Sequence, residues 1–134
     1  MKPVPFQGLK LDIVKGGETD DYPRPGNIVT VDYVAYLMMD DDGQPHDETK
    51  EKMPGPVFDS TYQRGKPFKF KLGAEQVIEG LDKAVQQLSI GERAKISIGP
   101  DLAYGRQGFP FLIPPSCALV YDLKLISFER VPER

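Results

Sequence analysis

One cysteine, one histidine, no apolar run of membrane length and no surplus of positive charge set the first limits on this 134-residue chain. With Cys117 alone, an internal disulfide and a thiolate-built structural zinc site are both excluded, and a reducing compartment fits best. The opening Met1-Lys2-Pro3-Val4-Pro5-Phe6 holds no secretory core, and no later stretch approaches a membrane span, so a cytoplasmic protein without membrane contact is expected. A net charge of −3 and a pI near 5.2 offer no basic field for nucleic acid. His46 would have to serve any Ser-His or Cys-His triad from a Pro-, Gly- and charge-rich segment, which disfavours hydrolase chemistry.

What is present suits one globular domain spanning 1–134. The apolar fraction is 40% and the charged fraction 28%, ordinary values for a folded, water-soluble chain. Leu9, Leu11 and Ile13 alternate with polar residues, which reads as a strand with one buried face. Val29, Val31, Tyr33, Ala35 and Leu37 share one face of a long strand running to about Met39. Residues 38–57 carry neither an alternating nor a helical apolar pattern, and read as a long surface insertion.

Phe68, Phe70 and Leu72 make the next alternation; then the period changes. Val77, Ile78, Leu81, Ala84, Val85 and Leu88 form a stripe at helical spacing, the one convincing helix. Ala94, Ile96 and Ile98 form a further strand, and after a Gly- and Pro-rich segment Leu119, Tyr121, Leu123 and Leu125 share the face of the last. One short helix among strands with non-alternating connections predicts an α+β fold: an antiparallel sheet of five to six strands wrapped around the helix.

The acidic run Asp40-Asp41-Asp42-Gly43, followed by His46, Asp47, Glu48 and Glu51, invites a metal reading. The spacing disagrees: with Gly43 sixth in a calcium loop, the first position is Met38 and the twelfth Thr49. No metal and no cofactor are expected.

The run Gly65-Lys66-Pro67-Phe68-Lys69-Phe70-Lys71-Leu72-Gly73, followed by Val77-Ile78-Glu79-Gly80-Leu81, resembles the heart of the FKBP-type peptidyl-prolyl isomerases. Val57-Phe58-Asp59-Ser60 stands upstream; Ser89-Ile90-Gly91-Glu92-Arg93-Ala94, Ala103-Tyr104-Gly105 and Ile113-Pro114-Pro115 follow in the family's order, so the likeness runs from about Leu9 to Ser127. The resemblance implies isomerisation of Xaa-Pro bonds in proline-containing peptides and proteins, binding of macrolides such as rapamycin and tacrolimus in the same pocket, and a monomer. Carried over by position, it implies a pocket lined by Tyr33, Phe58, Asp59, Arg64, Phe68 and Val77, and by Ile78, Leu81, Tyr104, Phe109, Ile113 and Tyr121. Asp59, Tyr104, Tyr33 and Phe58 would stand nearest the reaction, with Tyr104 and the Ile78 N–H as donors and Phe70 as support from behind.

This chain departs from the family pattern at several places. Leu81 stands where the pocket floor is often Trp, Tyr121 where Phe is usual, and Phe109-Pro110-Phe111 adds bulk beyond Tyr104. Plain packing also explains alternating Phe and inward Tyr, and Asp59 with Arg64 could be a solvated pair. The alternative function is a non-catalytic adaptor that holds a partner protein through the 109–113 loop or the insertion.

Overall fold

The alternation at Val29–Leu37 becomes the central strand of the computed structural model, which describes residues 7–39 and 55–130. The strands are β1 (Leu9–Lys15), β2 (Ile28–Leu37), β3 (Val57–Ser60), β4 (Phe68–Lys71), β5 (Arg93–Ile98) and β6 (Leu119–Glu129). They form one six-stranded sheet in the order β1-β5-β6-β2-β3, with β4 also paired to β2. Every pairing is antiparallel. Alternation dictates this because one face of each inner strand must be dry: Val29, Val31, Ala35, Leu37, Ala94, Ile96, Ile98, Leu119, Leu123 and Leu125 are all buried.

Among the described residues two helices accompany the sheet, α1 (Thr61–Arg64) and α2 (Glu79–Val85), with a 3-10 turn at Pro100–Leu102. The apolar side of α2 (Leu81, Ala84 and Val85) joins the inner-face residues of β2, β4, β5 and β6 in one core. The helix lies against β5 and β1. Gly80 is what lets it lie so close: a Cβ there would meet Ile98 Cγ2 at 2.4 Å.

The architecture is the α+β sheet and helix expected, with local corrections. The single-helix expectation missed α1, a single turn whose length hides any 3.6-residue period. Val77 and Ile78 precede α2 instead of opening it, and Leu88 follows it. Ile13 is 51% exposed, because β1 is an edge strand paired only to β5 and its last turn of alternation overhangs the core. Of the insertion placed at 38–57, Val57 opens β3 and Met38 is buried, its N–H donating to Ala118 O at 2.9 Å. Residues 40–54, with His46 and the acidic run, lie outside the described residues.

One margin of the sheet is split. β3 pairs with β2 at Val34–Tyr36 and β4 pairs with it at Ile28–Val31, leaving Asp32 and Tyr33 without a strand partner on that side. Thr61 fills the gap: its Oγ1 accepts from the Tyr33 N–H at 2.9 Å and donates to Asp32 Oδ1 at 2.8 Å.

Candidate active site

The split margin places the polar residues. Ser60 ends β3 and caps α1, its Oγ accepting from Gln63 N–H at 3.3 Å. Gly65 then stops the helix in the left-handed region at φ 69°, so the chain doubles back after Arg64. The guanidinium thereby returns to Asp59, pairing with Oδ1 through Nη1, while Nη2 donates to the Tyr33 hydroxyl at 3.3 Å. Tyr33 O–H donates in turn to Asp59 Oδ2 at 2.5 Å. Each member of this triangle holds the other two. Burial, and then the Asp59 carboxylate, push the Tyr33 phenol up to about 12, so it is a donor throughout the neutral range.

Aromatic rings continue from that triangle. The Tyr33 ring lies 5.2 Å from Tyr121 and 6.3 Å, edge to face, from Phe68. Tyr121 meets Phe58 at 6.1 Å with planes at 88°. The wall is therefore Phe68, Tyr33, Tyr121 and Phe58 in sequence, supplied by four strands and fixed by their pairing, since Tyr121 stands opposite Ala35 and Ala35 opposite Asp59. Burial drives the Tyr121 phenol far upward, so it too stays neutral. Phe70 stacks on Phe68 at 5.6 Å and is itself buried.

Leu81 on α2 is 3% exposed within the same core. Val77 and Ile78 pack against that core from the segment before α2. Two side chains pin this segment: Gln76 Oε1 accepts from Lys71 N–H at 2.9 Å, and Asp82 Oδ1 accepts from Gly73 N–H at 2.9 Å. The Ile78 carbonyl accepts the Asp82 N–H at 3.1 Å, while its own N–H bonds to no described residue.

Tyr104 follows the 3-10 turn and packs its ring edge-on to Phe109 at 5.9 Å. Its phenol is pushed up by burial and by Asp59, which places it in that carboxylate's field, yet the hydroxyl bonds to no described residue. Phe109 and Ile113 close a tight turn by exchanging N–H···O bonds of 2.8 and 2.9 Å. Ile113 is buried; Phe109 is half-exposed, and Phe111 at the tip, with φ 66°, is fully exposed.

Of the twelve residues expected at the pocket, nine are in or packed against the larger core cluster: Tyr33, Phe58, Phe68, Val77, Ile78, Leu81, Tyr104, Ile113 and Tyr121. Asp59 and Arg64 form the polar rim beside Tyr33, and Phe109 joins through the Tyr104 ring and its backbone bonds to Ile113. Thr61, which holds the Tyr33 backbone, was not anticipated; the signal for it is Ser60-Thr61 directly after Asp59, a helix-start pattern hidden behind a strand. Among the described residues no group of three metal-ligating side chains occurs.

Comparison with known proteins returns the same pattern. Residues 19–126 match the family described as FKBP-type peptidyl-prolyl cis-trans isomerase. Over 122 residues the chain is 42% identical to the peptidyl-prolyl cis-trans isomerase Fkbp12 of Drosophila melanogaster, covering 91% of this chain and 99% of that one. A peptidyl-prolyl cis-trans isomerase of Schizosaccharomyces pombe is 36% identical over 91% of this chain and 96% of its own. FK506-binding protein 1B of Aspergillus fumigatus is 38% identical over 91% and 95%.

Proposed function

Because the chain belongs to the family of FKBP-type peptidyl-prolyl cis-trans isomerases, we propose that Xaa-Pro bonds turn against the wall of Tyr33, Phe58, Phe68 and Tyr121, with Leu81 beneath. Rapamycin- and tacrolimus-type macrolides compete for the same place. The enzyme is an isomerase, so no covalent bond need break. The barrier is about 18–20 kcal/mol because rotation destroys amide resonance, and a catalyst must hold the twisted amide more tightly than either planar form. A twisted amide has the less polar carbonyl, so a dry aromatic surface penalises the planar states more.

The observation that carries this reading is the Tyr33–Asp59–Arg64 triangle. Its three partners satisfy one another, so the wall keeps its shape without water and the carboxylate is engaged in hydrogen bonds, a positioning role for Asp59 and Arg64. Tyr104 O–H and Ile78 N–H, both without described partners, are the donors left to orient substrate carbonyls. We place this activity in a single-domain monomer acting in the cytoplasm, a setting supported by one buried, unpaired cysteine. Among the described residues no helix is long and apolar enough to cross a membrane.

The test is exchange NMR on Xaa-Pro peptides without a coupling protease. Acceleration that rapamycin blocks is the expected result; acceleration indifferent to rapamycin removes the shared-pocket claim. One observation favours a second reading, an adaptor: Phe111 and Leu112 stand exposed at the turn tip. Capture of a partner protein with no acceleration of any peptide decides for that reading.

A further inference from the structure

Tyr121 carries a hydroxyl for which the aromatic wall has no internal use. The residue is 5% exposed, its ring set between Tyr33 at 5.2 Å and Phe58 at 6.1 Å. Its Oη bonds to no described residue, whereas the neighbouring Tyr33 hydroxyl is engaged by both Asp59 and Arg64. Among the described residues, no side-chain N or O that is shut off from solvent lacks a hydrogen-bond partner. The unshared Oη is therefore among the few atoms of Tyr121 that solvent reaches.

Strand pairing fixes the side on which it emerges. Tyr121 stands opposite Ala35 on one flank and Ile96 on the other, both fully buried, so its side chain leaves β6 on the dry face of the sheet, toward the wall. Burial drives the phenol upward, and Tyr104, Tyr33 and Asp59 add to the rise, which sets the hydroxyl in the field of the polar groups at the wall. It keeps its proton, and is a donor, throughout the neutral range.

Such a hydroxyl sets a condition on whatever lies against the wall. Solvent can satisfy it in the free protein, but a bound segment that displaces solvent must offer a polar atom in return or forfeit a hydrogen bond. An Xaa-Pro segment has no N–H at its proline and offers carbonyl oxygens instead. The one attached directly to the ring nitrogen belongs to the residue before proline, and it lies nearest to a proline ring seated on these side chains.

We propose that Tyr121 is a further substrate-binding residue, its hydroxyl donating to the carbonyl oxygen of the residue before proline, beside the donors Tyr104 O–H and Ile78 N–H. This deepens the isomerase reading above and rests on it. The bond serves binding more than turnover, because that carbonyl is more polar in the planar forms than in the twisted one and so takes the stronger hydrogen bond there. Tyr121 thus adds affinity at some cost in speed, which is what its oxygen contributes beyond the phenylalanine usual at this position.

Tyr121→Phe removes the oxygen and keeps the ring. With Xaa-Pro peptides followed by exchange NMR over a range of concentrations, KM is expected to rise about three- to tenfold, the loss of one neutral hydrogen bond, without a fall in kcat. The urea midpoint should not drop, since no internal bond is lost. A second arm uses peptides with sulfur in place of that carbonyl oxygen. Sulfur is the weaker acceptor, so the KM ratio of variant to parent should return to about one. An unchanged KM, a fall in kcat, or a KM ratio that is the same for oxygen and sulfur peptides overturns the proposal while leaving the isomerase intact. A lowered midpoint with KM unmoved overturns it too, by assigning the hydroxyl to the fold. No acceleration of any peptide by the parent protein removes the isomerase reading itself.

Discussion

Tyr33 is held from both ends: Thr61 takes its backbone N–H and Asp59 its hydroxyl. Thr61→Val preserves shape but leaves that N–H and Asp32 without their partner, so a loss of about 1–3 kcal/mol is expected in urea unfolding. Tyr104→Phe deletes one donor that nothing described shares, and kcat/KM should fall about three- to tenfold with the unfolding midpoint nearly unchanged. Asp59→Ala frees both Tyr33 and Arg64; a variant turning over Xaa-Pro peptides at the parent rate would discard the positioning role of that carboxylate. Alkali gives a further test. A phenol near 12 in the fold and near 10 unfolded binds its proton more tightly when folded. Its contribution is therefore complete below about pH 10 and lost on rising through 12. Tyr121 and Tyr104 shift the same way. Urea titrations across that window should show stability falling, and Tyr33→Phe should flatten the fall.

At the scale of elements, the contact of α2 with the sheet decides how much Leu81 can move. Gly80→Ala would set a methyl 2.4 Å from Ile98 Cγ2, and Ile98 is fully buried with no room to swing. Overpacking of about 1–3 kcal/mol outweighs the helix propensity of about 1 kcal/mol that alanine restores. A lowered unfolding midpoint is expected, and, on the proposed function, weaker macrolide binding, because Leu81 rides on the same helix. The long strands were legible in sequence because a period of two survives whenever one face is dry, as at Val29–Leu37 and Leu119–Leu125. The stretch 57–64 was not: β3 and α1 have four residues each, too few for either period, and their placement depends on a cap and a left-handed Gly65. The aromatic positions were readable through family likeness; periodicity alone could not separate Phe68, on the wall, from Phe70, behind it. Asp59 bonds both Tyr33 and Arg64, a pairing that no spacing in the sequence displays.

Over the whole molecule, stability is concentrated in the β2–β6 ladder, whose strands have partners on both sides, while β1 holds to β5 alone and carries exposed Ile13 and Val14. Native-state amide exchange should be slowest at residues 29–37 and 119–125 and fastest at 13–15; uniform protection across β1 and β6 would contradict this. The aromatic wall thus draws Tyr33 and Tyr121 from the strands paired on both sides, and Phe58 and Phe68 from short ones of four residues. The notch occupied by Thr61 has a consequence for life in a crowded solution. A stray extended chain seeking to lengthen the sheet along this border finds four residues of template, then a helical swerve, then four more. Neither fragment is long enough to seed stacking, so this border offers foreign chains no seam along which to polymerise.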